Sequence, residues 1–354
     1  MPNLVLQMSC AETVEALTEI WQRVLGRTNI GPEDEFVDLG GNGALADRIF
    51  AEIARVFNRQ LPSAIITHAP TIAALAALLE QPTLPAFPPL VKLKSGVEKT
   101  PIFIAHGLDG RARFQGLAKH MRTANAIYGF QAKGLDGLEE PFERIEDMAA
   151  LYLEAVCELQ PVGPYILIGY SFGGLITLEM AQRLAEAGKE VALLALVDAY
   201  PHPRYLSPGP RLRLMVRRTL RHFTEMSHRP PGDAISYFTQ GLERRLRLDG
   251  DRKRNQLPPE TSPLSYARTT LRVRDSAYVA YGRYRPRFYR GKISFVKAQS
   301  NSYFPDNPAA IWGKMADEFE VTTVPGDHLD MVTSGFENLA AALTDYLRRV
   351  RQQE

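Results

Sequence analysis

"YILIGYSFGGLITLEMAQRL", residues 165–184, decides how the chain is read. Four apolar residues, Tyr165–Ile168, are typical of a buried strand. The segment from Leu175 to Leu184 has the apolar spacing of a helix. Between them sits G-x-S-x-G, Gly169 to Gly173, in a space that allows only a tight strand-to-helix turn. A serine at the apex of such a turn is held with its hydroxyl exposed, as a nucleophile must be. Gly169 and Gly173 leave room where side chains would strike the crossing backbone. The start of the helix offers backbone N–H groups to developing negative charge, the first being that of Phe172. Without this flanking pattern the motif would be weak, because serine and glycine are common.

The same pattern extends outward. "PIFIAHG", "AIYGFQA" and "ALLALVDAY" are further short apolar runs, alternating with helical stretches such as "IEDMAALYLEAVCELQ". Strand alternating with helix predicts a mostly parallel sheet covered on both faces. Residues 204–285 interrupt the alternation with basic, helix-like, proline-containing sequence. It resumes with "KISFVKAQS" and "FEVTTVPGDH" and closes on "NLAAALTDYLRRVRQQ". The interruption reads as a helical lid inserted over the sheet.

A serine hydroxyl needs a base to take its proton. Of seven histidines, His328 in "VPGDHLDMV" follows the last strand pattern and lies downstream of the elbow. His106 ends a strand, His68 belongs to the N-terminal helices, and His120 lies in a helical pattern. His202, His222 and His228 fall in or beside the insertion. The third member should be an acid at a strand end, where it can orient the imidazole. Asp198, closing "ALLALVD", is favoured and Asp306 in "SYFPD" is the alternative; Asp327 and Asp330 flank the histidine and are poorly placed to reach its far nitrogen. The order Ser171, Asp198, His328 is that of the α/β-hydrolase fold. A second oxyanion donor is expected in the bend "AHGLDG", residues 105–110, with the Leu108 N–H as candidate.

The first eighty residues differ in character. Val14, Leu17, Trp21 and Val24 repeat at helical spacing, as do Leu45, Ile49, Ile53 and Val56, and Thr71 can cap a third helix. Pro82, Pro85, Pro88 and Pro89 then favour a stiff, extended connection. The expected division is a helical bundle over 1–81, a proline-rich linker over 82–98 and the α/β domain over 99–354, with its lid at about 204–285. Residues 1–80 hold ten Asp/Glu against five Arg, whereas 204–254 hold thirteen Lys/Arg against five Asp/Glu. Screening limits the reach of such fields to about 8 Å at physiological salt. The basic block lacks a nucleic-acid motif and aromatic interleaving, so nucleic acid is not an expected partner. Arg211, Arg213, Arg217, Arg218 and Arg221 read as the exposed face of a lid helix, with a phosphate contact to pantetheine or CoA as an addition.

Two cysteines, Cys10 and Cys157, form neither a disulfide framework nor a metal-ligand spacing. They suit a reducing compartment. No signal-peptide pattern opens the chain and no apolar run is long enough to span a membrane, so a cytoplasmic location is expected. No metal site is expected.

Together, "AHGLDG", "YGFQAKGLDG", "YILIGYSFGGLITLEMA", "VALLALVDA" and "VPGDHLDMV" resemble the thioesterase domains that end nonribosomal peptide and polyketide synthases. "LTEIWQRVLG", "EDEFVDLGG" and "PTIAALAALL" resemble a peptidyl or acyl carrier domain. The resemblance implies an α/β-hydrolase thioesterase preceded by a carrier-like bundle. The implied reaction releases an acyl, peptidyl or polyketide chain through an acyl-serine, by hydrolysis or cyclisation. Carriers of this kind attach phosphopantetheine to a serine after "LGG" and one further residue. Here that residue is Gly43, preceded by Asn42, and Ala44 also departs from the pattern. A glycine has no hydroxyl to esterify, so the chain is expected to hold no covalent cofactor there. Its acyl group would then come on the phosphopantetheine of another carrier protein or synthase module, or on CoA. The alternative reading is an acyltransferase or oxygen-ester hydrolase using the same triad, with the bundle as a docking or regulatory module.

Overall fold

The computed structural model describes residues 9–67, 69–81, 88–111, 114–206, 208–209, 211–212, 215–216, 266–300, 305 and 307–352. Its N-terminal part consists of α1 (Cys10–Leu25), α2 (Gly43–Phe57), a 3-10 turn (Ser63–Thr67) and α3 (Ile72–Leu79). Each helix start has a local cause. Ser9 and Glu12 form a reciprocal capping box at α1, which satisfies amides that the helix itself leaves open. Asn42 Oδ1 accepts from the Ala44 and Leu45 amides, and Thr71 Oγ1 accepts from Ala74. The apolar stripes meet in one core containing Leu17, Trp21, Phe36, Ile49, Ile53 and Leu75. Val56, the last residue of the α2 stripe, is 39% exposed. The helix ends one residue later, after the core has been covered.

The second part is a seven-stranded sheet among the described residues, ordered β1-β3-β2-β4-β5-β6-β7. Its strands are β1 (Leu90–Lys94), β2 (Glu98–Ala105), β3 (Asn125–Phe130), β4 (Tyr165–Tyr170), β5 (Val191–Val197), β6 (Tyr289–Ala298) and β7 (Ala316–Val324). Only the β1–β3 pairing is antiparallel. The sheet therefore begins at Leu90, inside the stretch read as linker. "LVKLK" carries lysines at alternate positions, a pattern suited to an exposed edge, where charge discourages pairing with another chain. The nearby prolines had masked it.

Helices α4 (Gln115–His120), α5 (Ile145–Leu159), α6 (Gly173–Glu186), α7 (Tyr266–Arg283), α8 (Ala309–Trp312) and α9 (Phe336–Arg351) complete the layers. One core lies between the sheet and α5 and α6, the other between the sheet and α4 and α9. Helix α7 belongs to the inserted segment between β5 and β6. Most of the rest of that segment, including Arg213, Arg217, Arg218, Arg221, His222 and His228, lies outside the described residues, as do His68 and Asp306. Arg211 is exposed. Central strands β2, β4 and β5 end at Ala105, Tyr170 and Val197. Their carboxyl ends thus share one edge of the sheet, where ligands bind in open parallel folds.

Candidate active site

Ser171 follows β4 directly, with φ at +54°. A non-glycine residue in this left-handed region is strained, and the surroundings have to hold it there. The Ser171 amide donates to Val197 O at 2.8 Å, tying the turn to β5. Crowding explains the glycines. A Cβ on Gly169 would lie 2.3 Å from Thr177 Oγ1 and 2.4 Å from Gly174 Cα; one on Gly173 would lie 2.4 Å from His106 O. The start of α6 is therefore pressed against the end of β2.

The three residues named from sequence come together here. His328 Nε2 lies 3.0 Å from Ser171 Oγ, and its Nδ1 lies 2.8 Å from Asp198 Oδ2. The carboxylate can only accept, so Nδ1 carries the proton and Nε2 is left to accept from the serine hydroxyl. Asp198 is fully buried and, like Ser171, has positive φ, +46°. Its amide donates to Val296 O at 2.8 Å. The loop beyond it is fixed by the Trp312 indole, which donates to Ala199 O at 2.9 Å. Asp198 Oδ1 is buried without a hydrogen-bond partner among the described residues.

His328 is held by neighbours that sequence reading missed. Tyr170, adjacent to the nucleophile, stacks on the imidazole with centroids 4.9 Å apart and planes 20° apart. Its hydroxyl donates to His328 O at 2.7 Å. Burial raises the Tyr170 pKa, as do the charges of Asp198 and its neighbours, so the donor is retained. Asp327 and Asp330 shape the loop rather than reach the ring. Asp327 Oδ1 accepts from Leu329 and Asp330 at 2.8 and 2.9 Å, and Asp330 Oδ2 accepts from Asp327 N at 2.9 Å.

The bend after β2 has its own support. His106 is buried, and that burial lowers its pKa, so the ring is neutral with a single donor. Its Nδ1 is 2.7 Å from Gly107 O, which can only accept. Nδ1 therefore carries the proton, and Nε2 accepts from Tyr152 O–H at 2.6 Å. Across a planar trans peptide, C=O and N–H point in opposite directions. Holding the Gly107 carbonyl therefore turns the Leu108 N–H away from His106. Among the described residues, neither the Leu108 nor the Phe172 amide has a hydrogen-bond partner. A narrow apolar pocket is lined by His106, Phe142, Met148, Phe172, Val273 and Ala277 among others. Val273 and Ala277 come from α7, which pairs with the segment before α5 through Arg272–Glu140 at 2.6 Å and Arg283–Glu143 at 3.1 Å. Arg111 also bonds Thr270.

A thioesterase domain family model matches residues 100–347. The chain belongs to the thioesterase domain family. A second family model, for a phosphopantetheine attachment site, matches residues 15–79. The thioesterase chain is 32% identical over 289 residues to a dimodular nonribosomal peptide synthase of Bacillus subtilis (strain 168), covering 80% of this chain and 12% of that protein. It is 28% identical over 340 residues to an indigoidine synthase of Dickeya dadantii (strain 3937), covering 89% of this chain and 22% of that protein. The chain thus spans only a small part of these relatives. Among solved structures, holo-AB3403, a four-domain nonribosomal peptide synthetase bound to AMP and glycine, aligns with a TM-score of 0.56 and 20% identity. That alignment covers 97% of this chain and 27% of the other. The NocB thioesterase domain of the nocardicin cluster aligns at 0.51 and 23%, covering 73% of this chain and 98% of that domain. These likenesses agree with an α/β-hydrolase-type thioesterase fold behind a small helical carrier region.

The carrier region does not fit a covalent phosphopantetheine. Gly43 opens α2 and presents no side-chain hydroxyl. Ser63 is 2% exposed and donates to Asp47 at 2.5 Å. Ser9 is engaged in the cap of α1. Among the described residues, no helix is long and apolar enough to cross a membrane.

Proposed function

We propose that the chain releases an acyl, peptidyl or polyketide chain from a pantetheine thioester through an acyl-Ser171 intermediate, by hydrolysis or cyclisation. The observation that carries this is the Ser171–His328–Asp198 chain of hydrogen bonds at a strained elbow, 3.0 and 2.8 Å long. His328 Nε2 takes the Ser171 proton as Oγ bonds to the thioester carbonyl carbon. The Leu108 and Phe172 amides receive the oxyanion, and Asp198 stabilises the imidazolium. The C–S bond then breaks, and the proton on His328 goes to the departing thiolate. Water, or a hydroxyl or amine of the acyl chain, attacks the ester carbonyl carbon while His328 takes its proton. That proton returns to Ser171 Oγ as the ester breaks, giving a free acid or a ring.

The acyl group is delivered by a carrier protein, by another synthase module or on CoA, because Gly43 cannot hold it. A cytoplasmic setting is part of the proposal and is supported by two free cysteines, Cys10 and Cys157, which suit a reducing compartment. The test is intact mass after mixing with a panel of acyl-pantetheine thioesters, with released thiol read in the same sample. Thiol release by the native chain and not by Ser171→Ala is expected, with an acyl increment wherever deacylation is slow. Neither thiol nor increment across the panel would overturn the reading.

A further inference from the structure

The part of the chain that cannot be loaded is seated on the part that catalyses: α2 and the Ser63–Thr67 turn both pack against α7. Helix α7 also supplies Val273 and Ala277 to the pocket beside Phe172. At about 3.6 residues per turn, Thr269, Val273, Ala277 and Ala280 form one buried stripe facing the core. Leu271, Arg274, Asp275 and Tyr278 lie away from that stripe. Asp275 and Tyr278 are exposed, as a solvent face should be, while Arg268, Leu271 and Arg274 in the first turns are half-covered. That covered end is where a bundle packing on the outer face of α7 accounts for the shielding. Charge favours the contact. On its outer face helix α7 holds Arg268 and Arg274 against Asp275, its Arg272 and Arg283 being paired with Glu140 and Glu143 of the sheet domain. The bundle is acidic, with ten Asp/Glu against five Arg over residues 1–80. Arg274 Nε is buried without a partner among the described residues.

We propose that this bundle is a non-loadable resident on the surface of α7 where a substrate-bearing carrier domain lands, and that it keeps the thioesterase closed to such carriers until displaced. The inference rests on the reaction proposed above. An incoming carrier shares the fold of residues 10–79 and meets the same outer face of α7. It alone brings a thioester, which has to pass α7 to reach Ser171. The hydroxyl missing at Gly43 stops the resident from becoming a substrate itself. Small acyl-pantetheines need no such landing and are unaffected by the resident.

The test uses the full chain with Ser171→Ala, so that nothing is consumed, and a separate fluorescent carrier domain bearing an acyl group, followed by anisotropy. Asp47→Arg reverses a charge on α2 and breaks its tie to Ser63. Ser63→Glu crowds the turn by a different route. Each is expected to tighten carrier binding about ten-fold, the factor by which a resident seated about nine-tenths of the time lowers apparent affinity. Unfolding of the bundle by either variant also removes the resident and predicts the same tightening. Tightening in either variant supports the proposal; binding unchanged or weakened in both overturns it. Thiol release from acyl-pantetheine by the chain with Ser171 intact is measured separately and should change by less than about two-fold in Asp47→Arg, because a small substrate pays no such occupancy penalty. Absence of that release from the native chain would remove the catalytic reading and leave the binding result to decide the resident's role.

Discussion

The bundle and the sheet domain each enclose an apolar core, yet a serine at a strained turn is found in only one of them among the described residues. In the bundle, Leu17, Trp21, Ile49 and Ile53 are buried and all three helices have side-chain caps. Gly43 nevertheless stands where the resemblance to carrier domains implies the attachment serine. In the sheet domain, Ser171 and Asp198 both hold positive φ beside a crowded elbow. Strain of this kind costs on the order of 1–3 kcal/mol per residue, and here it is retained. Packing and capping specify a fold without regard to chemistry. Backbone strain with a nucleophile at its apex marks the half in which chemistry is maintained.

The largest expected effect breaks the catalytic side of the comparison. Asp198→Asn leaves the packing intact but lets the side chain donate, so His328 no longer has to carry its proton on Nδ1. Turnover should fall about 10⁴-fold, with thermal unfolding little changed, as read by thiol release and calorimetry on one sample. A loss under about ten-fold would mean that another acid, Asp306 first, orients the ring. Gly43→Ser sharpens the other side. Incubated with CoA and a phosphopantetheinyl transferase, the native chain should show no mass change and the variant should gain one phosphopantetheine. An unmodified variant would show that Asn42 and Ala44 have removed recognition as well as the hydroxyl.

A middle-sized effect is expected at His106. His106→Ala frees the Gly107–Leu108 peptide and leaves Tyr152 O–H with a single carbonyl partner, Gln131 O. Loss of one oxyanion donor costs about 10²–10³ in kcat. A donor that is misaimed rather than removed should cost less, about 10- to 100-fold, with KM nearly constant. His106→Asn, which can still donate to Gly107 O, should recover part of the rate. A change confined to KM, or no recovery with asparagine, would argue that His106 only fills space.

How much of this was legible in the sequence depended on contact range. Ser171 sits in a motif whose strand and helix are its immediate neighbours, so a few residues disclosed both position and geometry. Asp198 and His328 were legible because each follows a strand pattern in a known order. The supports were not. Tyr170 reaches His328 O and His106 reaches Tyr152 across separations of 158 and 46 residues, and no local period reports such pairs. Strand β1 was hidden for the opposite reason: its alternation is local but short, and the surrounding prolines outweighed it. The seat of the bundle on α7 is a contact between surfaces of two units, which neither unit's own pattern encodes.

The smallest expected effect concerns the loop that holds His328. The Asp327 carboxylate accepts from the Asp330 and Leu329 amides, and these bonds lower its pKa below the ordinary carboxylate value. A depressed folded-state pKa contributes order that is fully present above the unfolded pKa and lost as pH falls through the folded one. The group is largely solvent-exposed, so the gain in stability is small, and the effect is sought in catalysis. Asp327→Ala should lower kcat by a few-fold near neutral pH, since Tyr170 and Asp198 still hold the imidazole. Asp327→Asn, whose carbonyl oxygen can accept the same amides without titrating, should retain most of the rate. At acid pH the native chain loses its Asp327 bonds, which the alanine variant never had. The ratio of native to Asp327→Ala activity should therefore shrink as pH falls below the ordinary carboxylate range. A ratio that stays constant down to that range would mean that the Asp330 Oδ2 bond to the Asp327 amide, which the alanine variant keeps, is sufficient to set the loop.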